Sequence, residues 1–188
     1  LYSDIVSGSL AEGVLPYEVA WPLWSDSAAK GRYLWLPPGE TIDVSDPDLW
    51  QVPVGTKAWK SFTRDGVLVE TRYIERREED WVWVAYQWRE DGSDADPVPA
   101  GVEDASGTSH DIPNTSLCSQ CHSGDGLIGV NAIQLGEDSP TDTLETLSTG
   151  GYLSAAIDQS TAVPGDGTVR EALGYLHGNC GNCHADHY

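Results

Sequence analysis

Two copies of one short pattern govern what this chain can fold into. Cys118 and Cys121 are followed directly by His122, and Cys180 and Cys183 directly by His184. Together the two copies use all four cysteines. The segment that carries them is poor in core-building side chains. Between Ser106 and Tyr188 only 18 residues are Val, Ile, Leu, Phe, Trp or Tyr, and 12 are Gly. So few large apolar groups struggle to outweigh the chain entropy of ordering such a stretch. Something other than side chains is expected to supply its core.

Several chemistries use paired cysteines. A zinc site could take all four, but 58 residues separate the pairs, longer than the usual zinc-ribbon spacing. It also gives no reason for a His after each pair. With five His in 188 residues, His at both places by chance is on the order of one in a thousand. A thioredoxin-like redox motif needs one CxxC opening a helix in a βαβ context, which this chain lacks. Two simple disulfides ignore the histidines again. Covalent haem uses every element: two thiols two residues apart add to the two porphyrin vinyl groups, and the next imidazole reaches the iron. The expectation is two c-type haems. Cys118, Cys121, Cys180 and Cys183 are the attachment points, with His122 and His184 as proximal iron ligands. Each macrocycle would bring the broad apolar face that the Gly-rich segment lacks.

The distal ligands are less determined by the pattern. The chain has no Met, so Met ligation from within it is excluded. Lys30, Lys57 and Lys60 are poor ligand candidates. His110, eight residues before Cys118, and His177, three before Cys180, remain, with His187 a weaker candidate in the terminal tail. Two open positions and three candidates make bis-His ligation the leading expectation. The bland alternative for each His is a surface or propionate-bonding role, and for each iron a water-bound or open site.

The chain divides by composition. All eight Trp precede residue 89, and all five His and four Cys follow residue 109. The turn-rich stretch 89–109 reads as a loop or linker, giving expected domains over 1–105 and 106–188. Residues 57–90 hold three runs rich in β-branched and aromatic residues. Asp65-Gly66 marks a hairpin between the first two, and Glu78 to Asp80 turns into the third. In that last run Trp81, Trp83 and Ala85 face one way and Val82, Val84, Tyr86 and Trp88 the other, as in a strand covered on both sides. "RYLWLP" adds another strand. The Trp cluster could offer aromatic platforms to a ligand, but core packing accounts for its spacing. Two helices are expected, one near Thr141 to Ser148 and one from about Thr168 to His177. On the second, Val169, Ala172, Leu173 and Leu176 mark one face. The expected class is α+β: an N-terminal antiparallel β-rich region, then a loop-rich, partly helical di-haem segment.

Acidic residues outnumber basic ones 30 to 10, for a formal charge of −20. That balance excludes nucleic acid as a partner and disfavours anionic membranes. It suits solubility, a salty or extracellular medium, or a basic partner. The longest apolar run, Trp81 to Tyr86, is far too short to span a bilayer. "DGSDAD" does not match an EF-hand loop and reads as a solvated turn. The chain begins at Leu1 rather than Met, which suits a removed export signal or a piece of a longer chain.

The stretches "YEVAWPLWSDSAAKGRYLWLPPGETID", "VPVGTKAWKSF", "ETRYIER", "YQWREDGSDA", "HDIPNTSLCSQCH", "IQL" and "GYLHGNCGNCH" together resemble a family of exported bacterial di-haem c-type cytochromes, largely uncharacterised, with a Trp-rich β region before the haem segment. The resemblance covers nearly the whole chain. It implies one haem on Cys118, Cys121 and His122 and another on Cys180, Cys183 and His184, with His110 and His177 as preferred distal ligands. Family members continue well beyond the second CxxCH, whereas this sequence stops four residues after His184. A clipped chain, a short one, or one completed by a neighbour are the readings of that difference.

The functional expectation is an exported electron carrier, extracellular or periplasmic, that exchanges electrons with redox partner proteins. One version is a homopolymer with haem–haem contacts between subunits, in which His187 could ligate a neighbour's haem. The alternatives are a di-haem peroxidase-like oxidoreductase, which requires a five-coordinate haem and acid–base groups nearby, and a haem electron-acceptor module of a partner dehydrogenase. No distal catalytic pair is legible, so the enzyme is the less favoured reading.

Overall fold

A computed structural model describes residues 1–122, 127–182 and 184, without the side chains of Gln120 and Cys121. The fold is a mixed α+β class, with an antiparallel sheet and a few short helices. It divides into two compact units, each assembled from separated stretches of chain. The first takes Leu1–Tyr17, Ser25–Pro37 and Val54–Gln120, and the second Glu18–Trp24, Pro38–Pro53 and Cys121–Tyr188. The break expected between residues 105 and 106 falls inside the first unit.

The first unit is built on strands whose apolar and polar residues alternate. A small hairpin pairs β1 (Tyr2–Asp4) with β2 (Ser9–Leu10). The main sheet takes β3 (Leu15–Tyr17), β4 (Ala29–Trp35), β5 (Lys57–Arg64), β6 (Val67–Arg76), β7 (Trp81–Trp88) and β8 (Ala95–Pro97), all antiparallel and side by side in chain order. The β5–β6 hairpin turns through Asp65 and Gly66 at φ 51° and 81°, the two left-handed positions that an Asp-Gly turn accommodates. Because side chains alternate along a strand, Arg32, Lys60 and Arg72 share one sheet face while Tyr33, Trp59 and Tyr73 share the other.

The stretch 89–109, expected as a linker, is part of this unit. β8 pairs with β7, and Arg89 holds Asp96 through Nε (2.8 Å) and Nη2 (2.6 Å). Val102 bridges to Ile112, and Ala105 and Ile112 join Val69 and Ala85 in a buried cluster. A three-residue strand amid Gly, Asp and Pro gives no period to read, so its order comes from the neighbouring strand rather than from its own pattern.

The core role expected of the tryptophans holds for two of them. Trp50 and Trp88 are buried, whereas Trp24 is 63% exposed and the others are half-buried. On the Trp59 face, Tyr2, Trp59, Tyr73, Tyr86 and Trp88 line a cavity of about 400 Å³.

The second unit is held by short helices. α1 (Cys118–Cys121) spans the boundary between the units. Asn131 caps α2 (Ala132–Leu135), its Oδ1 accepting the Gln134 N–H at 2.9 Å, the usual way an N-terminal orphan donor is met. α3 runs Thr143–Thr149 and stops at Gly150. α4 (Gly167–Leu176) continues through one π-helical turn, His177–Gly181. Both long helices fall within one or two residues of their expected spans. Ile42, Trp50, Leu135, Leu144 and Leu147 form the buried interior, and Ile42 exchanges main-chain hydrogen bonds with Tyr152 (2.8 Å) and Ser154 (2.9 Å). Among the described residues no helix is long and apolar enough to cross a membrane.

Candidate cofactor site

Cys118 and Cys121 bound the single turn of α1, three residues apart and therefore on one helical face. Cys118 and the following His122 are half-buried. At the second pattern the helical path runs on: the His184 N–H donates to the Cys180 carbonyl at 3.0 Å, and Cys180 and His184 are exposed. The π-helical turn that ends in Cys180 and Gly181 widens the helix at this point, a distortion found frequently at functional sites. Cys183 and His187 lie outside the described residues.

α4 is mounted with its polarity reversed. An ordinary surface helix buries its apolar stripe and shows its polar side to water. Here Val169, Leu173 and Leu176, at i, i+4 and i+7, are 57%, 38% and 51% exposed, and Cys180 continues the same row. The attached side is built of small and polar residues. Gly174 and Gly178 are buried against Trp21. Arg170 binds Asp138 through Nε (2.9 Å) and Nη2 (2.9 Å). A little further on, the Trp24 N–H donates to Asn179 Oδ1 at 2.7 Å. The helix is thus anchored without using its apolar face, and an uncovered apolar row leads straight to a CxxCH thiol.

Gln134 sits at the middle of that anchorage, 3% exposed. Its carbonyl accepts the Ala20 N–H (2.8 Å) and its Oε1 accepts the Trp21 N–H (3.0 Å). With Oε1 identified by a main-chain donor, the other amide atom is Nε2, and it donates to His177 Nδ1 at 3.3 Å. His177 therefore carries its proton on Nε2, which faces Asp48 Oδ1 at 3.9 Å. Burial lowers the imidazole pKa, and Asp48 opposes that shift in part. In this arrangement neither ring nitrogen presents a free lone pair to an iron.

His110 is placed in the first unit, 4% exposed, with Nε2 at 2.8 Å from Glu70 Oε2 and its ring 5.1 Å from that of Phe62. Glu70 is wholly buried and also bound by Arg72 Nε (2.6 Å) and Nη2 (3.0 Å). Of the three expected distal candidates, then, His110 and His177 are engaged with side-chain partners.

The two CxxCH patterns and α4 are legible in the sequence; the anchoring roles of Gln134, Trp21, Asn179 and Glu70 are not. One signal was there for Gln134: Asn131 with Gln three residues later matches the N-cap and third-position pattern of a helix start. Among the described residues no three His, Cys, Asp or Glu side chains gather as a metal-binding group. A four-Cys zinc site would need Cys121 Sγ and Cys183, which are not among them. Comparison with family models, curated proteins and solved structures found no match to this chain.

Proposed function

We propose that the chain is an exported electron-transfer protein carrying two covalently attached c-type haems. One observation carries the reading: the uncovered row Val169, Leu173 and Leu176 on α4 ends at Cys180 of the second CxxCH. Leaving such a row about half exposed costs hydrophobic free energy, on the order of 1 kcal/mol per large side chain. A flat apolar group tethered at Cys180 would cover it. The residues fit the group in a second respect, since Cys118 and Cys121 sit at the two ends of one helical turn.

When bound, haem iron supplies reversible one-electron chemistry, and its potential follows the axial ligands and the surrounding polarity. The chain's own part is to attach and orient. Cys118 and Cys121 would hold one group with His122 beneath it, and Cys180 and Cys183 the other with His184. Gln134, Trp21 and Asn179 fix the helix that delivers the second pair. The distal positions fall to His187, to a histidine of another copy, or to His110 and His177 after their present partners are released. The second of these is the homopolymer, with haems in contact between subunits. A peroxidase-like enzyme would instead leave one distal position to substrate. The sequence resemblance points to the same cofactor, an exported location and redox protein partners.

Mass spectrometry of the intact protein tests the foundation, with a gain of two haem masses expected and any other gain overturning the reading. Electron paramagnetic resonance of the oxidised protein then separates roles. Two low-spin signals accord with a carrier, and a high-spin signal that shifts on adding peroxide or cyanide accords with an enzyme.

A further inference from the structure

Aromatic rings cross one face of the first unit's sheet without being taken up in its core. Trp59 on β5 stands opposite Tyr73 on β6, and Tyr86 on β7 stands opposite Thr71, two residues from Tyr73 and so on the same face. The β1–β2 hairpin adds Tyr2, whose ring centre lies 6.1 Å from that of Trp88. These five rings line the cavity of about 400 Å³, a size within the range of about 300–1,000 Å³ that small-molecule sites occupy. Trp88 is buried, whereas Tyr2, Trp59, Tyr73 and Tyr86 are half-buried and keep ring surface open to the cavity.

The polar groups of the cavity divide between a settled interior and an open rim. Inside, the buried Thr71 Oγ1 accepts the Trp88 indole N–H at 2.9 Å and lies 2.9 Å from Ser61 Oγ, which fixes the Trp88 ring in place. At the rim stand Lys57 and Asp94. The Lys57 ammonium lies 5.0 Å from the centre of the Trp35 ring. The Asp94 side chain is 56% exposed; its Oδ1 accepts the Ala95 N–H at 2.9 Å and its Oδ2 lies 3.8 Å from Arg89 Nη1. A carboxylate has about four lone-pair sites, so Asp94 retains capacity to accept from a ligand. Burial chiefly, with Tyr33 beside Tyr2 and Glu75 beside Tyr73, pushes both phenols up to about 12. The tyrosine wall is therefore neutral, while the rim carries fixed charges of both signs.

We propose that this cavity binds a neutral saccharide, with one sugar ring laid against the wall of Trp59 and Tyr73. A pyranose ring has a face of C–H bonds, which meets the negative face of an aromatic ring favourably. Its hydroxyls both donate and accept, and the rim offers Lys57 as donor and Asp94 as acceptor. Two other ligand classes suit aromatic walls less well here. A quaternary ammonium is attracted to such rings but would be repelled by Lys57. A flat aromatic molecule stacks best between parallel plates, whereas Trp59 and Tyr73 are tilted by 41° and Tyr2 and Trp88 by 66°. A faceted wall fits a puckered ring instead. The site stands on the first unit alone and is independent of the haem reading.

Isothermal titration calorimetry of the protein as isolated tests the site, with cellotetraose, maltotetraose and chitotetraose as probes and choline and 1-naphthol as comparators. Saturable binding of at least one saccharide is expected, tighter than that of either comparator, and the tightest of the three identifies the preferred linkage. Trp59→Ala is expected to weaken it about tenfold or more, and Asp94→Ala by less. Trp83→Phe alters the opposite sheet face and should leave binding unchanged. Asp94→Ala, at the exposed rim, keeps the test readable if the Trp59 variant misfolds. No saturable binding of any of the three saccharides, tighter binding of choline or 1-naphthol, or equal saccharide binding by the parent, Trp59→Ala and Asp94→Ala overturns the proposal. None of these outcomes depends on whether the chain carries haem.

Discussion

Gly174 lies so close beneath the indole of Trp21 that a methyl group there would sit 2.1 Å from Cδ2. Intrinsic propensity favours Ala over Gly within a helix by about 1 kcal/mol, so an isolated helix would gain from Gly174→Ala. In the folded protein contact reverses the sign. Thermal denaturation is expected to show Gly174→Ala destabilised by about 2 kcal/mol or more. Gly178→Ala should behave alike, its Cβ meeting the Trp21 carbonyl at 2.3 Å.

Leu173 and Leu176 report on what covers α4. With a group attached at Cys180, hydroxyl-radical labelling of both leucines should be markedly lower than in a Cys180→Ala/Cys183→Ala variant. Equal labelling in the two proteins would leave the row uncovered and remove the main support for attachment there.

His110→Gln separates a structural histidine from an iron ligand. Breaking a buried charged or hydrogen-bonded pair by removing one partner costs about 3 kcal/mol, because Glu70 stays buried with Arg72 alone. The expected result is a clear loss of stability in chemical denaturation with unchanged low-spin resonances. A change from low to high spin would instead make His110 a ligand.

Lys60 gives stability a pH dependence whose sign is fixed. Its folded pKa, about 7, lies below the ordinary lysine value near 10.5. Between those pH values the unfolded chain holds the proton that the folded chain has released, so stability rises with pH from 7 toward 10. Lys60→Met should flatten that rise, as measured by denaturation midpoints of both proteins at pH 6.5 and 9. A steeper rise in the variant would contradict the assignment.

His177 acts in the same sense at lower pH. Its folded pKa lies below the usual histidine value of 6.5, so acidification through that value protonates the unfolded chain first and lowers stability. His177→Gln should remove this component. Nitrogen-15 spectra of the parent should show the proton on Nε2, and Gln134→Leu should release that tautomer and cost about 2 kcal/mol.

What could be read from the sequence follows from which signals are local. The Asp65-Gly66 turn, the strands around it and the helix before Cys180 each carry their cause within a few residues, and the structure has them close to where the pattern put them. The two CxxCH patterns are local as well. What escaped was decided between distant stretches. The apolar row of α4 reads as a buried face, yet it is exposed because Gly174 and Gly178 admit Trp21 on the other side. His110 and His177 read as spare ligands, yet Glu70, 40 residues away, and Gln134, 43 residues away, engage them. The β8 strand was hidden for a related reason, since its order is borrowed from β7.

The amide of Gln134 also sets an order of events. It joins residues 20 and 21 to residue 177, so the anchorage of the second unit cannot close until the chain has been made as far as residue 177. The first unit has all its parts by Gln120 and is free to fold earlier, as domains commonly do during synthesis. Segment Glu18–Trp24 must wait for Gln134, which Trp21 binds across 113 residues, and for Asn179, which Trp24 binds across 155. Cys180 therefore follows on a helix whose mooring ties late, and an enzyme that modifies this thiol before the unit closes would meet it less hindered than in the folded protein.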